Sequence, residues 1–253
     1  MNEKIKKEKN QEIFNNFEFV DKALFFPKKE ILVIGDLHIG YDRMLEDLGV
    51  YFPKSLAKET ISNLKKIFKK IKSEGKNIKK IVFLGDIKHA FYFERKERDD
   101  FLDVYEFLKK YFKEENIILI RGNHDTIDYL GGKIKAIHIE EEIAFLHGHK
   151  IYNEIFSKKI KYVVLAHLHP SIILKDKVKT EEYKCFLVGN YKEKTFIILP
   201  SFLEIFEGTS VNEYKYGYDE NFSIIPHKKI LDFYVYVIGE DKTYFFGKIK
   251  DLI

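Results

Sequence analysis

Residues Ile31-Leu32-Val33-Ile34-Gly35-Asp36-Leu37-His38 read as a buried strand that runs straight into two metal-ligand side chains. Four consecutive apolar residues bounded by glycine fit a strand covered on both faces. The same text recurs twice. Ile81-Val82-Phe83-Leu84 leads into Gly85-Asp86, and Ile117-Ile118-Leu119-Ile120 leads into Gly122-Asn123-His124-Asp125. Two more runs, Ile143 to Leu146 and Tyr162 to Ala166, lead into His147-Gly148-His149 and His167-Leu168-His169. Every chemically able side chain therefore follows a strand. In an open α/β sheet, ligand sites form beyond the carboxyl ends of the strands, so residues distant in sequence can meet there.

The residue types point to metal. Asp36, His38, Asp86, Asn123, His147, His167 and His169 offer carboxylate, amide and imidazole donors. The one cysteine, Cys185, lies far from these motifs, so the donor set is oxygen and nitrogen. Such a set suits Mn²⁺ first, with Fe²⁺, Ni²⁺, Co²⁺ or Zn²⁺ also fitting. A single catalytic ion uses about three or four protein ligands. Two divalent ions roughly 4 Å apart, sharing one carboxylate, would use the whole set.

Between the strands the period changes. Leu56, Thr60, Leu64, Ile67, Phe68 and Ile71 recur at three- and four-residue steps, with Pro53 at the start and Gly75 at the end of that helix. A second helix is expected over Asp99 to Lys113, with Phe101, Leu102, Tyr105, Leu108 and Phe112 on one stripe. Strand, helix, strand, helix, strand implies parallel pairing with right-handed crossovers. After Gly122 short strands dominate: Ala136 to Ile139, Ile143 to Leu146, Tyr162 to Ala166, Ser171 to Leu174, Lys184 to Val188 and Thr195 to Leu199. Leu231 to Gly239 and Thr243 to Ile249 read as a hairpin around Glu240-Asp241. The expected fold is α/β: a four-layer α/β/β/α sandwich of two mixed sheets flanked by helices. Residues 1–16 read as a flexible polar arm, and 17–253 as one domain ending in that hairpin.

The ordered set D-x-H, G-D, G-N-H-D, H-G-H and H-x-H resembles the calcineurin-like binuclear metallophosphoesterases. Asp36-Leu37-His38-Ile39-Gly40-Tyr41, Gly49-Val50-Tyr51-Phe52-Pro53 and Gly85-Asp86-Ile87-Lys88-His89 look most like the archaeal SbcD-related branch, cousins of DNA-repair exonuclease subunits. The resemblance spans about Ile31 to Thr209 and implies the same four-layer sandwich. It implies that Asp36, His38 and His169 bind one metal, that Asn123, His147 and His167 bind the other, and that Asp86 bridges them. It further implies a hydroxide between the metals as the nucleophile. His124 would then stabilise the transition state or protonate the leaving oxygen, and Asp125 would orient a neighbouring group. Phosphoprotein phosphatases of this superfamily usually carry an Asp shortly after the bridging Asp, paired with the catalytic His. Here that stretch reads Lys88-His89, as in the repair-nuclease branch, which favours a phosphodiester substrate; His89 reads either as a residue that handles that substrate or as a capping or solvent-facing His.

Taken singly these motifs are ordinary. His167 and His169 could end a strand, Gly122 and Gly148 could form turns, and Asp36 and Asp86 could cap helices. It is their order that makes a site. His149 reads as a residue facing substrate or lying behind a ligand, and His138 and His227 fall outside every motif. Phe91-Tyr92-Phe93, in the loop after Asp86, read either as a platform for a base or as an apolar patch for self-association as a homodimer. Arg95 and Arg98 follow in the same loop, within reach of substrate phosphate.

The remaining features exclude classes rather than choose among them. A net charge of +4 does not by itself argue for nucleic acid. The Lys-rich runs at 65–72 and 158–161 read as solvated faces before they read as a phosphate track. No apolar run approaches the ~20 residues needed to span a bilayer. The polar Met-Asn-Glu-Lys start and the single cysteine fit a cytoplasmic protein without a disulfide framework. The expected function is metal-dependent hydrolysis of phosphodiester bonds in nucleic acid or nucleotides. The alternatives are a silent scaffold of the same fold, or a phosphomonoesterase.

Overall fold

A computed structural model describes residues 16–51, 55–126, 133–176, 178–205, 208–213 and 223–253. The arm expected over 1–16 therefore lies outside the described residues except for Asn16, and so does Pro53. In chain order the elements are β1 (Glu18–Val20), β2 (Ala23–Phe26), β3 (Ile31–Ile34), α1 (Tyr41–Asp47), α2 (Leu56–Ser73), β4 (Lys80–Phe83), α3 (Arg95–Lys109) and β5 (Ile117–Ile120). Then come β6 (Ile134–Lys135), β7 (His138–Glu140), β8 (Ile143–Phe145), β9 (Tyr162–Leu165), β10 (Pro170–Lys175), β11 (Thr180–Tyr191), β12 (Lys194–Ile198) and β13 (Thr209–Ser210). The chain closes with α4 (His227–Ile230), β14 (Tyr234–Ile238) and β15 (Thr243–Lys248).

The strands form two mixed sheets. The first runs β1-β2-β3-β4-β5-β6. Its β3, β4, β5 and β6 pair in parallel, and β1 and β2 join as an antiparallel edge. The second runs β13-β10-β11-β12-β9-β8-β7, with the β14–β15 hairpin attached to β11. Side-chain alternation explains why the sheets face each other. Ile31 and Val33 of β3 point into a shared core with Phe145, Val164, Phe186 and Ile197 of the second sheet. Leu32 and Ile34 point the other way, onto Leu64, Ile67 and Phe101 of the outer helices. Strands with both faces covered must be apolar at every position, and β2, β3 and β5 are buried throughout.

The sandwich expected from sequence is present, but its layers are unequal. Long helices α2 and α3 cover the first sheet. The outer face of the second is covered by Ile155, Ile160, Ile230 and Phe233, from short turns and the four-residue α4. Three local expectations shift. Helix α3 begins at Arg95 rather than Asp99, because the Glu94 side chain accepts from the Glu97 N–H and caps it there. Helix α1 carries Tyr41, Met44 and Leu45 on one side but buries only Asp42. Asp42 is anchored where its Oδ2 accepts from Leu56 N at 3.0 Å, at the start of α2. The strand expected over Ala136 to Ile139 forms only from His138, as β7, and a separate β6 precedes it at Ile134–Lys135, because the chain leaves the first sheet after β6 and enters the second at β7. The Lys-rich run of α2 is solvent-exposed, as a solvated helix face should be.

One buried cation beneath the site gives a stability prediction. Lys184 on β11 donates to the Ser201 carbonyl at 3.0 Å and also to the Leu203 carbonyl. Burial, with the charge of Lys22 adding, pushes its ammonium down to about 7. Below about pH 7 both folded and unfolded chains hold this proton, and the full cost of burying it is present. As pH rises towards the unfolded value near 10.5, the unfolded chain holds more protons, so stability rises. The urea midpoint of the native chain is expected to gain on that of Lys184→Met between pH 7 and pH 10. A constant difference across that range would refute the assignment.

Candidate metal centre

The loops that follow β3, β4, β5, β8 and β9 meet at one rim between the sheets. They are stitched together by backbone and carboxylate hydrogen bonds. Leu37 N and His38 N donate to the Asp86 carbonyl at 3.1 and 2.8 Å, and Ile39 N donates to Ile87 O at 3.0 Å. Ala166 N donates to His147 O at 2.9 Å, and His167 N donates to Asp36 Oδ2 at 3.1 Å. Asp125 is the clamp. Its Oδ1 accepts from Ile87 N and Lys88 N at 3.0 and 3.2 Å, and its Oδ2 accepts from Gly122 N at 2.8 Å. It ties the Gly85-Asp86 loop to the Gly122-Asn123-His124 loop. Burial and the neighbouring Asp86 push its carboxyl up to about 6.

The seven expected ligand residues come together. Asp36, His38 and His169 form one cluster whose donor atoms lie within 4.8 Å of one another, and Asp86, His147 and His167 form a second. Asp36 Oδ2 is 3.0 Å from His169 Nε2. Asp86 Oδ2 is 3.3 Å from His147 Nε2 and 3.9 Å from His38 Nε2, so this one carboxylate touches both clusters. Asn123 Oδ1 lies 3.0 Å from His147 Nε2.

The backbone at these residues is under strain. His38, Asp86, His167 and His169 all have positive φ, at 43°, 41°, 65° and 46°. A side chain in this region costs energy, and such positions gather at ligand sites because the surrounding structure enforces them. The glycines serve close approach. A Cβ on Gly85 would lie 2.7 Å from both Gly122 N and His147 Nδ1, and one on Gly122 would collide with Asp86.

The electrostatics fit a cation. Asp36 is fully buried; its Oδ1 accepts no well-aligned hydrogen bond among the described residues and lies 3.2 Å from His147 Nδ1, whose hydrogen is directed at the Leu84 carbonyl. Burial pushes its carboxyl up, but His169 and His147 overcome this, so it lies well below the ordinary carboxylate range. Burial also opposes ionisation of Asp86, and its hydrogen bond with His147 outweighs that and lowers it. Two buried anions call for positive charge, and in the chain alone it falls on His147. Burial pulls this imidazole down, yet Asp36 and Asp86 push it up to about 10. His38 and His167 stay neutral, the form that binds metal. Burial takes His38 down to about 3, helped by His169, and takes His167 to about 4, helped by His147. A buried carboxylate oxygen without a well-aligned hydrogen bond, two anions and neutral imidazoles are what a pair of divalent cations requires, so the residues fit the metals.

Hydrogen bonds also fix which nitrogen faces inward. His147 Nδ1 donates to the Leu84 carbonyl at 3.0 Å, leaving Nε2 toward Asn123 and Asp86. His124 Nδ1 donates to the His89 carbonyl at 2.6 Å, leaving Nε2 3.9 Å from Asp86 Oδ2. A carbonyl can only accept, so each Nδ1 carries the hydrogen. His124 is stacked between Phe91, at 4.2 Å and 30°, and His89, at 5.4 Å and 26°. No local pattern announces that stack, since nothing in the sequence links Phe91 to His124. His89 Nδ1 lies 3.5 Å from His38 Nδ1, and burial takes His89 down to about 4. His149 Nδ1 is buried without a hydrogen-bond partner among the described residues, its ring 5.2 Å from that of His147. His138 is away from the centre, 3.3 Å from Glu140. Arg98 is 3.0 Å from Asp99 on its own helix.

Two facing mixed sheets with carboxylates and imidazoles gathered at one rim define the metallophosphoesterase architecture. The chain belongs to the calcineurin-like phosphoesterase family, which matches residues 29–219. A nuclease, MPE, from Pseudomonas putida shares the fold at 20% identity, covering 90% of this chain and 93% of its own, with a TM-score of 0.58. Vacuolar Protein Sorting 29 from Cryptosporidium parvum aligns at 16% identity over 85% of this chain and 94% of its own, with a TM-score of 0.37. A predicted phosphoesterase from Streptococcus pneumoniae aligns at 12% over 86% and 97%, with a TM-score of 0.34. No curated protein matches the sequence. Among the described residues no helix is long and apolar enough to cross a membrane.

Proposed function

We propose that the chain is a binuclear metal-dependent phosphodiesterase acting on nucleotide or nucleic-acid substrates, nearest to the SbcD-related branch of its family. The observation that carries this is Asp86, whose carboxylate touches both ligand clusters while His124 Nε2 faces the same oxygen. Asp36, His38 and His169 would hold one cation, Asn123, His147 and His167 the other, and Asp86 both. Bound divalent cations would supply Lewis acidity and an acidified water at neutral pH. The protein's own part is to hold these donors rigid and to aim His124 at the leaving oxygen. The orienting partner of His124 is the His89 carbonyl, which fixes the tautomer without adding a full negative charge. That arrangement, and the Lys88-His89 stretch behind it, supports diester over phosphoprotein chemistry. The Pseudomonas putida neighbour, a nuclease, is in keeping with it.

His89 is assigned to the upkeep of the centre. If His38 binds metal through Nε2, its Nδ1 carries a hydrogen, and His89 Nδ1 is placed to meet it. Partners behind a metal ligand typically contribute 10–100-fold to affinity or activity. Mn²⁺-loaded protein is expected to hydrolyse bis(p-nitrophenyl) phosphate faster than p-nitrophenyl phosphate, and metal-free protein neither. His89→Ala should lower both ester rates by about 10–100-fold, with weaker Mn²⁺ binding. Silence with Mn²⁺, Co²⁺ and Ni²⁺ alike would favour a scaffold. Small effects of His89→Ala on both esters would remove His89 from the scheme.

A further inference from the structure

We propose that the pocket beside His89 is a nucleobase subsite, which takes the unpaired base of the nucleoside attached to the scissile phosphate. This rests on the phosphodiesterase reading and adds to it the group recognised. The pocket has a volume of about 320 Å³ and lies between α1 and the loop that follows Asp86. Its apolar walls are Met44 on one side and Phe91 and Tyr92 on the other. His89 belongs to both pocket and metal centre: its Nδ1 is 3.5 Å from His38 and its Nε2 is 3.3 Å from the Met44 sulfur. A group bound in the pocket is therefore one side chain away from the reacting phosphate.

Volume, surface and charge select the occupant. About 320 Å³ is at the small end of ligand sites, which suits one flat heterocycle with its sugar and excludes a duplex end. Phe91 and Tyr92 are 56% and 68% exposed, large apolar groups held in water at the mouth of a polar centre. Aromatic rings at that position are platforms for stacking, and every base has a face to stack. The lining charges argue against a second phosphate. Glu46, Asp47, Glu94 and Glu97 outnumber Arg43 and Lys96. Arg43 is paired with Glu46 at 3.2 Å and with Asp100 at 3.4 Å, Glu97 accepts from His89 N and Ala90 N, and Glu94 caps Glu97 N, so Asp47 is the carboxylate these contacts do not use. Carboxylates repel phosphate but accept from the ring N–H and exocyclic amino groups of bases. A base inside a duplex hides its faces in the stack, so the substrate must present it unpaired.

The test compares two diesters on Mn²⁺-loaded protein, thymidine 5′-(p-nitrophenyl phosphate) and methyl p-nitrophenyl phosphate. The first offers a base and the second does not. The ratio of their kcat/KM values is expected to exceed about 10, and to fall about 10-fold in Tyr92→Ala and in Met44→Ala, mainly through KM. Thymidine alone, followed by saturation-transfer NMR, should bind the native protein and bind both variants about 10-fold more weakly. A dT strand should be cut faster alone than when annealed to dA. A ratio near one, or a ratio unchanged in both variants, overturns the subsite, and so does equal cleavage of single and paired strands. Thymidine binding that weakens in the variants, with neither ester hydrolysed by any metal form, would retain the subsite and sink the phosphodiesterase reading. Ester hydrolysis at a ratio of one with no thymidine binding would do the reverse.

Discussion

Asp86→Ala is expected to leave a folded chain that no longer holds a metal pair and has lost activity by about 10³-fold or more. The magnitude follows from what metal ions contribute, several kcal/mol of transition-state stabilisation, at about 1.4 kcal/mol for each factor of ten. Asp86 is singled out because its carboxylate alone reaches His38 and His124 at 3.9 Å and His147 at 3.3 Å. Removing it leaves each cluster short of a donor, with Asp36, 3.0 Å from His169 and 3.2 Å from His147, still present. The loss need not unfold the chain, since the Asp86 carbonyl still accepts from Leu37 and His38, and Asp125 still clamps the two loops. The discriminating measurement is the melting temperature with and without Mn²⁺, alongside metal content. A ligand that binds only the folded state raises stability by mass action. The native chain should melt higher with Mn²⁺ and carry two ions, while Asp86→Ala should show little shift. Two tightly held ions and near-normal hydrolysis in Asp86→Ala would end the shared-carboxylate account.

The centre was legible because its chemistry sits where apolar runs stop. A strand covered on both faces must be apolar throughout, so Ile31–Ile34 and Ile117–Ile120 announce themselves, and the polar residues just beyond are conspicuous. What stayed hidden depends on contacts that no local pattern encodes. Helix α1 is held by Asp42 at the start of α2, not by a buried apolar stripe. The start of α3 was set by the Glu94 cap, while the apolar stripe pointed four residues later. The division of β6 from β7 reflects a crossing between sheets that two adjacent strands of similar texture do not reveal. Phe91 shows the same limit at the site. Its exposure and its loop could be read, but its stacking on His124 needed the fold. Arg95 and Arg98 were candidates for phosphate by sequence, whereas the arginine that lines the pocket is Arg43, on the helix the sequence did not announce.

His124→Ala is expected to retain both metals and to lose activity in a way that depends on the leaving group. The imidazole is held by the His89 carbonyl at 2.6 Å and packed between Phe91 and His89, so its Nε2 has one direction to face. It lies 3.9 Å from Asp86 Oδ2, beside the donor atoms rather than among the seven assigned to metal. Should its role be to protonate the leaving oxygen, a dinucleotide, whose departing alkoxide needs that proton, should slow by about 10²–10⁴-fold. An ester of p-nitrophenol, whose anion leaves without help, should slow far less. If His124 instead neutralises charge on the phosphoryl oxygens, both substrates should slow alike, because that charge builds whichever group departs. A carbonyl partner favours the first outcome. It holds Nδ1 as the donor and leaves Nε2 turned towards the site, where a leaving oxygen would stand. Loss of one metal together with activity in His124→Ala would instead make this residue a ligand. The His38, His89 and His124 donor atoms, which lie within 4.8 Å of one another, would then be where its ion is held.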